Sequence, residues 1–86
     1  MNIIDKINSL SSLEGAVILE GLDSAILGAA EYFSQEAPRL IYSKEKILKI
    51  LQKRDKMSRE EALDFYYFNI LAHFKEDSNP IFLETI

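Results

Sequence analysis

The chain has 86 residues, of which 48% are hydrophobic, and a formal net charge of −4 at pH 7. This length suits one small domain, residues 1–86, and the hydrophobic content predicts a folded core. The absence of cysteine excludes disulfides, thiolate catalysis and cysteine-based zinc sites, and it fits a cytoplasmic protein. The negative charge argues against binding to nucleic acid, and the apolar runs are too short to span a membrane.

The first half of the chain predicts a short N-terminal helix followed by a β-hairpin. Apolar residues recur at helical spacing within residues 1–13. The run AVILE, residues 16–20, contains β-branched side chains and lies between Gly15 and Gly21, as expected of a buried strand. Residues 24–33 form either the second strand of the hairpin or a helix, and we favour the hairpin.

The second half predicts two helices and two further strands. The pattern indicates a strand at 39–43, a helix at 44–54, a helix from residue 58 and a strand at 81–86. Ser58 and Glu61 have the spacing of a capping box, which marks the start of the last helix. The sequence therefore predicts an α+β domain: an antiparallel sheet, made of the hairpin plus two further strands, packed against two helices.

The last helix carries large apolar side chains on two opposite faces. At about 100° per residue, one face holds Leu63, Tyr66, Tyr67, Ile70 and Phe74. The opposite face holds Phe65, Phe68 and Ala72. A helix on a sheet normally buries one stripe, so this second face is covered either by another element of the chain or by a partner protein. We take these three residues as a candidate interaction surface, and homodimerisation is its simplest form.

Two polar residues of the same helix are candidate ligand contacts. Asn69 lies among apolar residues, where an amide orients ligands, and His73 is the only histidine. We predict no catalytic, cofactor-binding or metal-binding residues, because nothing near His73 in sequence supplies an orienting acid or a set of metal ligands. A basic stripe, formed by Lys46, Lys49 and Lys53, is interpreted as the solvated face of the helix at 44–54.

Several blocks of the sequence resemble a family of small uncharacterised proteins of phages and bacteria. The likeness covers roughly residues 17–83. It is carried by Gly21, Asp23, Ala25, Gly28, Tyr42, Met57, Glu61, Ala62, Phe68, Asn69 and Pro80. Members of that family are richer in glycine after the asparagine than this chain is. The resemblance implies a phage or mobile-element setting and no established activity.

Two hypotheses about function follow. The first is a non-catalytic protein–protein interaction module, a phage-type accessory protein that binds or inhibits a host protein. The second is a protein that binds a small ligand or nucleotide in a pocket near Asn69 and His73. Neither requires a cofactor or a membrane.

Overall fold

The structure, a computed structural model, describes residues 2–31, 38–74 and 80–86. The α-helices are α1 (Ile3–Ser9), α2 (Lys44–Arg54) and α3 (Arg59–Phe65). The strands are β1 (Ile26–Ala29), β2 (Leu40–Ser43) and β3 (Ile81–Leu83). Short 3₁₀ turns occupy Ser11–Leu13, Asp23–Ala25 and Leu71–His73, and a π-helical turn, Tyr66–Ile70, continues α3.

The three strands form a mixed sheet in the order β1-β2-β3. β1 is antiparallel to β2, with Ile26 opposite Tyr42, and the register shifts at a bulge before Gly28. β3 is parallel to β2, with Ile41 opposite Ile81. Parallel neighbours require a long crossover connection, and here α2 and α3 lie in that connection.

The core lies where α2 and the helical segment after residue 58 meet the central strand. The fully buried large side chains are Leu40 and Tyr42 of β2 with Ile47, Leu48 and Leu51 of α2. The ring of Phe82 from β3 packs edge-on against Tyr66, with the ring centroids 5.8 Å apart. These contacts fix the helix after residue 58 over the β2–β3 side of the sheet.

The predicted strand at 16–20 is wrong. Residues 16–19 have no regular secondary structure and belong to an irregular apolar segment, residues 16–22, which packs on the core through Ile18, Leu19 and Leu22. Its backbone is held by side chains: the Tyr42 hydroxyl accepts the N–H of Leu19 at 2.8 Å, and Arg54 donates to the Gly21 carbonyl at 2.9 Å. A short apolar run is compatible with either a buried strand or a packed loop, and these two contacts favour the loop.

The rest of the predicted architecture is largely confirmed. The α+β class, the short N-terminal helix, the helix at 44–54 and the strands within 39–43 and 81–86 are all present. Of residues 24–33, residues 26–29 form a strand, not a helix, and residues 32–33 lie outside the described residues. The predicted hairpin is nevertheless wrong, because β1 pairs with β2, and the sheet is mixed where an antiparallel one was predicted.

No helix in the described ranges is long and apolar enough to cross a membrane.

Candidate functional site

The helix that carries the candidate residues starts at a complete capping box. The Ser58 hydroxyl accepts the N–H of Glu61 at 3.1 Å, and the Glu61 carboxylate accepts the N–H of Ser58 at 3.0 Å. The bond from the Ser58 N–H lowers the pKa of Glu61, since it favours the charged carboxylate. The start of α3 is therefore fixed locally.

A π-helical turn interrupts the regular hydrogen-bond spacing of this helix. The N–H of Leu71 reaches the carbonyl of Tyr66, five residues back, as well as that of Tyr67. The wider turn displaces side chains relative to the 100° spacing of an α-helix. Ala62, which precedes this turn, is buried, and Tyr67, which the sequence assigned to the same face as Tyr66, is 44% exposed. Tyr66 is buried as predicted.

The face predicted to interact is exposed. Phe68 is 74% exposed and Phe65 is 37% exposed, while Ala72 also faces solvent. The interpretation in which α2 or the N-terminal segment covers this face therefore does not hold for Phe68. We call Phe65 and Phe68, together with the surface between them, the aromatic face.

Two clefts adjoin the aromatic face. The first has a volume of about 420 Å³ and lies between the apolar segment and the helix. Its described lining residues are Val17, Ile18, Leu19, Glu20, Leu22, Leu51, Arg54, Phe65, Asn69, Ile70 and Phe74. The second has a volume of about 340 Å³ and is lined by Met57, Glu61, Asp64, Phe65, Phe68 and Asn69. Phe65 and Asn69 line both, so the two clefts are neighbours separated by these side chains.

The two predicted ligand contacts have different positions. Asn69 lies in the π-helical turn, is exposed and lines both clefts, so its amide offers a donor and an acceptor to an occupant. His73 is exposed and is not among the described lining residues of either cleft. The structure therefore brings Asn69 together with Phe65 and Phe68, and leaves His73 outside the group.

A cluster around Lys44 was not anticipated from the sequence. Its ammonium donates to the Tyr67 hydroxyl at 2.6 Å and to Glu84 at 3.0 Å, and it lies 4.8 Å from the centre of the Tyr67 ring. The Tyr67 bond, reinforced by Glu84, raises the pKa of Lys44, because both partners favour the charged ammonium. The partners are 23 and 40 residues away, a separation for which the sequence holds no local signal.

A surface ion pair joins α3 to α2. Arg59 donates two hydrogen bonds to the Glu45 carboxylate, at 2.8 and 2.9 Å, which lowers the pKa of Glu45. The basic stripe of Lys46, Lys49 and Lys53 is exposed, as interpreted from the sequence. Within residues 2–31, 38–74 and 80–86, no group of three acidic or histidine side chains is placed to hold a metal ion.

Comparisons of the chain with protein-family models, with curated proteins and with solved structures give no match.

Proposed function

We propose that this chain is a non-catalytic protein-binding module and that the aromatic face is its contact surface. The observation that carries the proposal is the exposure of Phe68, 74%, beside the partly exposed Phe65. Aromatic side chains are enriched in the cores of protein interfaces, where they act as anchors. A single exposed apolar residue needs no explanation, but two phenylalanines beside two clefts make an extended apolar patch.

The energetics support a contact made by burial. Full burial of a phenylalanine side chain contributes about 1.5–3 kcal/mol relative to an exposed one. Because Phe68 is mostly exposed in the isolated chain, folding gains little of that free energy. Most of it is available to a partner that covers the face.

The setting that we propose is that of a cytoplasmic phage or mobile-element accessory protein whose partner is a host protein. The resemblance of residues 17–83 to small phage and bacterial proteins supports this setting. Association with a second copy of the chain is the simplest other use of the same surface.

The test compares Phe68→Asp with Leu27→Asp. Leu27 lies on the edge strand β1 and is 46% exposed, so the control introduces the same charge at an exposed apolar position away from the aromatic face. The tagged variants are used to capture partners from the natural host, and any captured protein is then purified and titrated against them. We expect Phe68→Asp to weaken binding at least tenfold and Leu27→Asp to leave it unchanged.

Folding is checked on the same samples by thermal unfolding. Surface substitutions away from special features change stability by about 0.5 kcal/mol or less, and we expect that for Phe68→Asp. Unfolding of the variant would show that the aromatic face belongs to the core. Equal binding by a folded Phe68→Asp variant and by wild type would contradict the proposal.

A small-ligand protein is the second candidate, and the first cleft favours it. Its volume of about 420 Å³ lies within the usual range for ligand pockets, about 300–1,000 Å³, and Asn69 supplies a polar contact on an apolar wall. A thermal-shift screen of nucleotides and metabolites tests it, since a ligand at about 100 times its Kd stabilises by roughly 2.7 kcal/mol. An increase in Tm on adding a ligand that is lost in Asn69→Ala would support this candidate. An increase in Tm that is the same in Asn69→Ala as in wild type would contradict it.

A further inference from the structure

Among the described residues that line the two clefts, the charged side chains are mostly acidic. Glu20 lines the first cleft, and Glu61 and Asp64 line the second. Arg54 also lines the first cleft, but its guanidinium is held by the Asp55 carboxylate at 3.0 and 3.1 Å. An occupant therefore meets apolar walls with acidic groups beside them.

The clefts offer side chains rather than a backbone edge. One wall is the helix, and the other is the apolar segment, which forms no strand and whose Leu19 and Leu22 N–H groups are bonded to the Tyr42 hydroxyl and the Leu19 carbonyl. A partner strand would find no sheet edge to extend at this place. Recognition through anchors in a groove, as made by an amphipathic helix, fits such a surface.

We infer that the two clefts take a basic amphipathic helix of a partner protein, with one apolar side chain in each cleft. Lysine or arginine residues flanking these anchors lie beside Glu20, Glu61 and Asp64. Complementary charge of this kind steers association and excludes acidic partners. The inference rests on the proposed protein-binding function and adds the chemistry of the partner to it.

A second copy of the chain does not provide this chemistry. Its basic stripe lies on α2, but the exposed large hydrophobic residues among the described ones lie outside that helix. They are Ile3, Leu10, Leu27, Phe65, Tyr67, Phe68, Leu83 and Ile86. The basic surface of a second copy therefore lacks the exposed apolar anchors that the clefts would hold.

The test uses two synthetic helical peptides that share one pattern of leucines at helical spacing. One carries lysine and the other glutamate at all flanking positions. Each peptide is labelled and titrated with the full chain, by fluorescence anisotropy at low and high salt, and the contact surface is mapped by amide chemical shifts. We expect the lysine peptide to bind, with shifts centred on Phe65, Phe68 and Asn69, and the glutamate peptide not to bind.

Charge-reversal variants separate recognition at the clefts from attraction to the net charge of the protein. Asp64→Lys and Asp5→Lys change the net charge by the same amount, but Asp5 lies on α1 and lines neither cleft. We expect Asp64→Lys to weaken binding of the lysine peptide by roughly 2- to 30-fold at low salt. Added salt should reduce this difference in affinity. We expect Asp5→Lys to have a much smaller effect.

The inference would be overturned by equal binding of both peptides, by binding of neither, by equal effects of the two charge reversals, or by a homodimer that occupies the clefts and is lost in Phe68→Asp. Binding of the glutamate peptide alone at Phe68 would refute the partner chemistry and leave the protein-binding function standing. The proposed function would fail in a separate experiment: Phe68→Asp would capture the same partner, with the same affinity, as wild type.

Discussion

Replacing Tyr42 with phenylalanine tests how the apolar segment is held. The substitution keeps the buried ring, which has no exposed surface, and removes the hydroxyl that accepts the N–H of Leu19 at 2.8 Å. A buried donor left without its partner costs about 1–3 kcal/mol. Because Leu19 is only half-buried, water partly replaces the hydroxyl, and we expect a loss of about 1–2 kcal/mol. In a domain of this size that lowers Tm by roughly 4–16 °C.

The assay combines thermal unfolding with native-state hydrogen exchange. Burial raises the pKa of Tyr42, so its hydroxyl is neutral at the pH of the experiment. In Tyr42→Phe we expect faster exchange of the Leu19 amide than of the amides in α2. Tyr67→Phe is the matched control, because it removes a hydroxyl from an exposed ring, and we expect a stability change below about 1 kcal/mol.

The reasoning would be refuted by unchanged exchange at Leu19 together with equal stabilities of the two variants. Such a result would mean that packing alone orders residues 16–22, and that the hydroxyl contact adds nothing.

Further predictions concern local structure. Ser58→Ala removes the capping box and should cost about 1 kcal/mol in urea unfolding. The folded-state pKa of Glu61 is lowered mainly by the Ser58 N–H, which the alanine variant keeps, so the contribution of this carboxylate is present above the ordinary glutamate value, about 4.3, and is lost as the pH falls through the folded pKa. A Glu61→Gln variant has no carboxylate to protonate at this position and should therefore lose less stability than wild type upon acidification. Gly21→Ala should destabilise the fold more than Gly15→Ala. Both glycines have positive φ, so both substitutions strain the backbone. A methyl group at Gly21 would in addition lie 2.7 Å from the Arg54 side chain, while one at Gly15 would contact nothing within 4 Å. Equal losses in the two glycine variants would show that the arginine contact is inconsequential.

Sequence alone predicted those elements whose signals are local. The capping box of Ser58 and Glu61, and the amphipathic pattern of residues 44–54 after the capping Ser43, lie within a few residues of the helices that they start. Such signals act on neighbouring backbone groups and do not depend on the rest of the fold. For that reason both helix starts are confirmed.

The errors arose where distant contacts decide the structure. Whether residues 16–20 form a strand depends on a hydroxyl that lies 23 residues further along, in Tyr42. The pairing of β1 depends likewise on β2, which follows a connection partly outside the described residues. The hydrophobic pattern indicates that these segments are buried, but it does not indicate which groups form hydrogen bonds with their backbone.

The candidate site was predicted in part. Exposure of Phe65 and Phe68 was one of two alternatives that the helical pattern left open, and the structure favours it. The π-helical turn was not foreseen, because the spacing analysis assumes 3.6 residues per turn throughout. Nor did that analysis anticipate that Tyr67 is 44% exposed. A pocket near Asn69 and His73 was predicted; Asn69 lines both clefts and His73 is not among their described lining residues, and the wall formed by the irregular apolar segment had no signal in the sequence.

The parallel pairing of β2 with β3 has a consequence for synthesis on the ribosome. Ile41 pairs with Ile81, so one edge of the central strand lacks its neighbour until 40 further residues have been added. During that interval β2, α2 and the helix after residue 58 are present without β3, whose Phe82 packs against Tyr42 and Tyr66. Closing so long a loop is slow compared with forming the helices, and an unpaired strand edge invites association between nascent chains. The yield of soluble protein should therefore depend on how quickly residues 81–83 follow the rest of the chain.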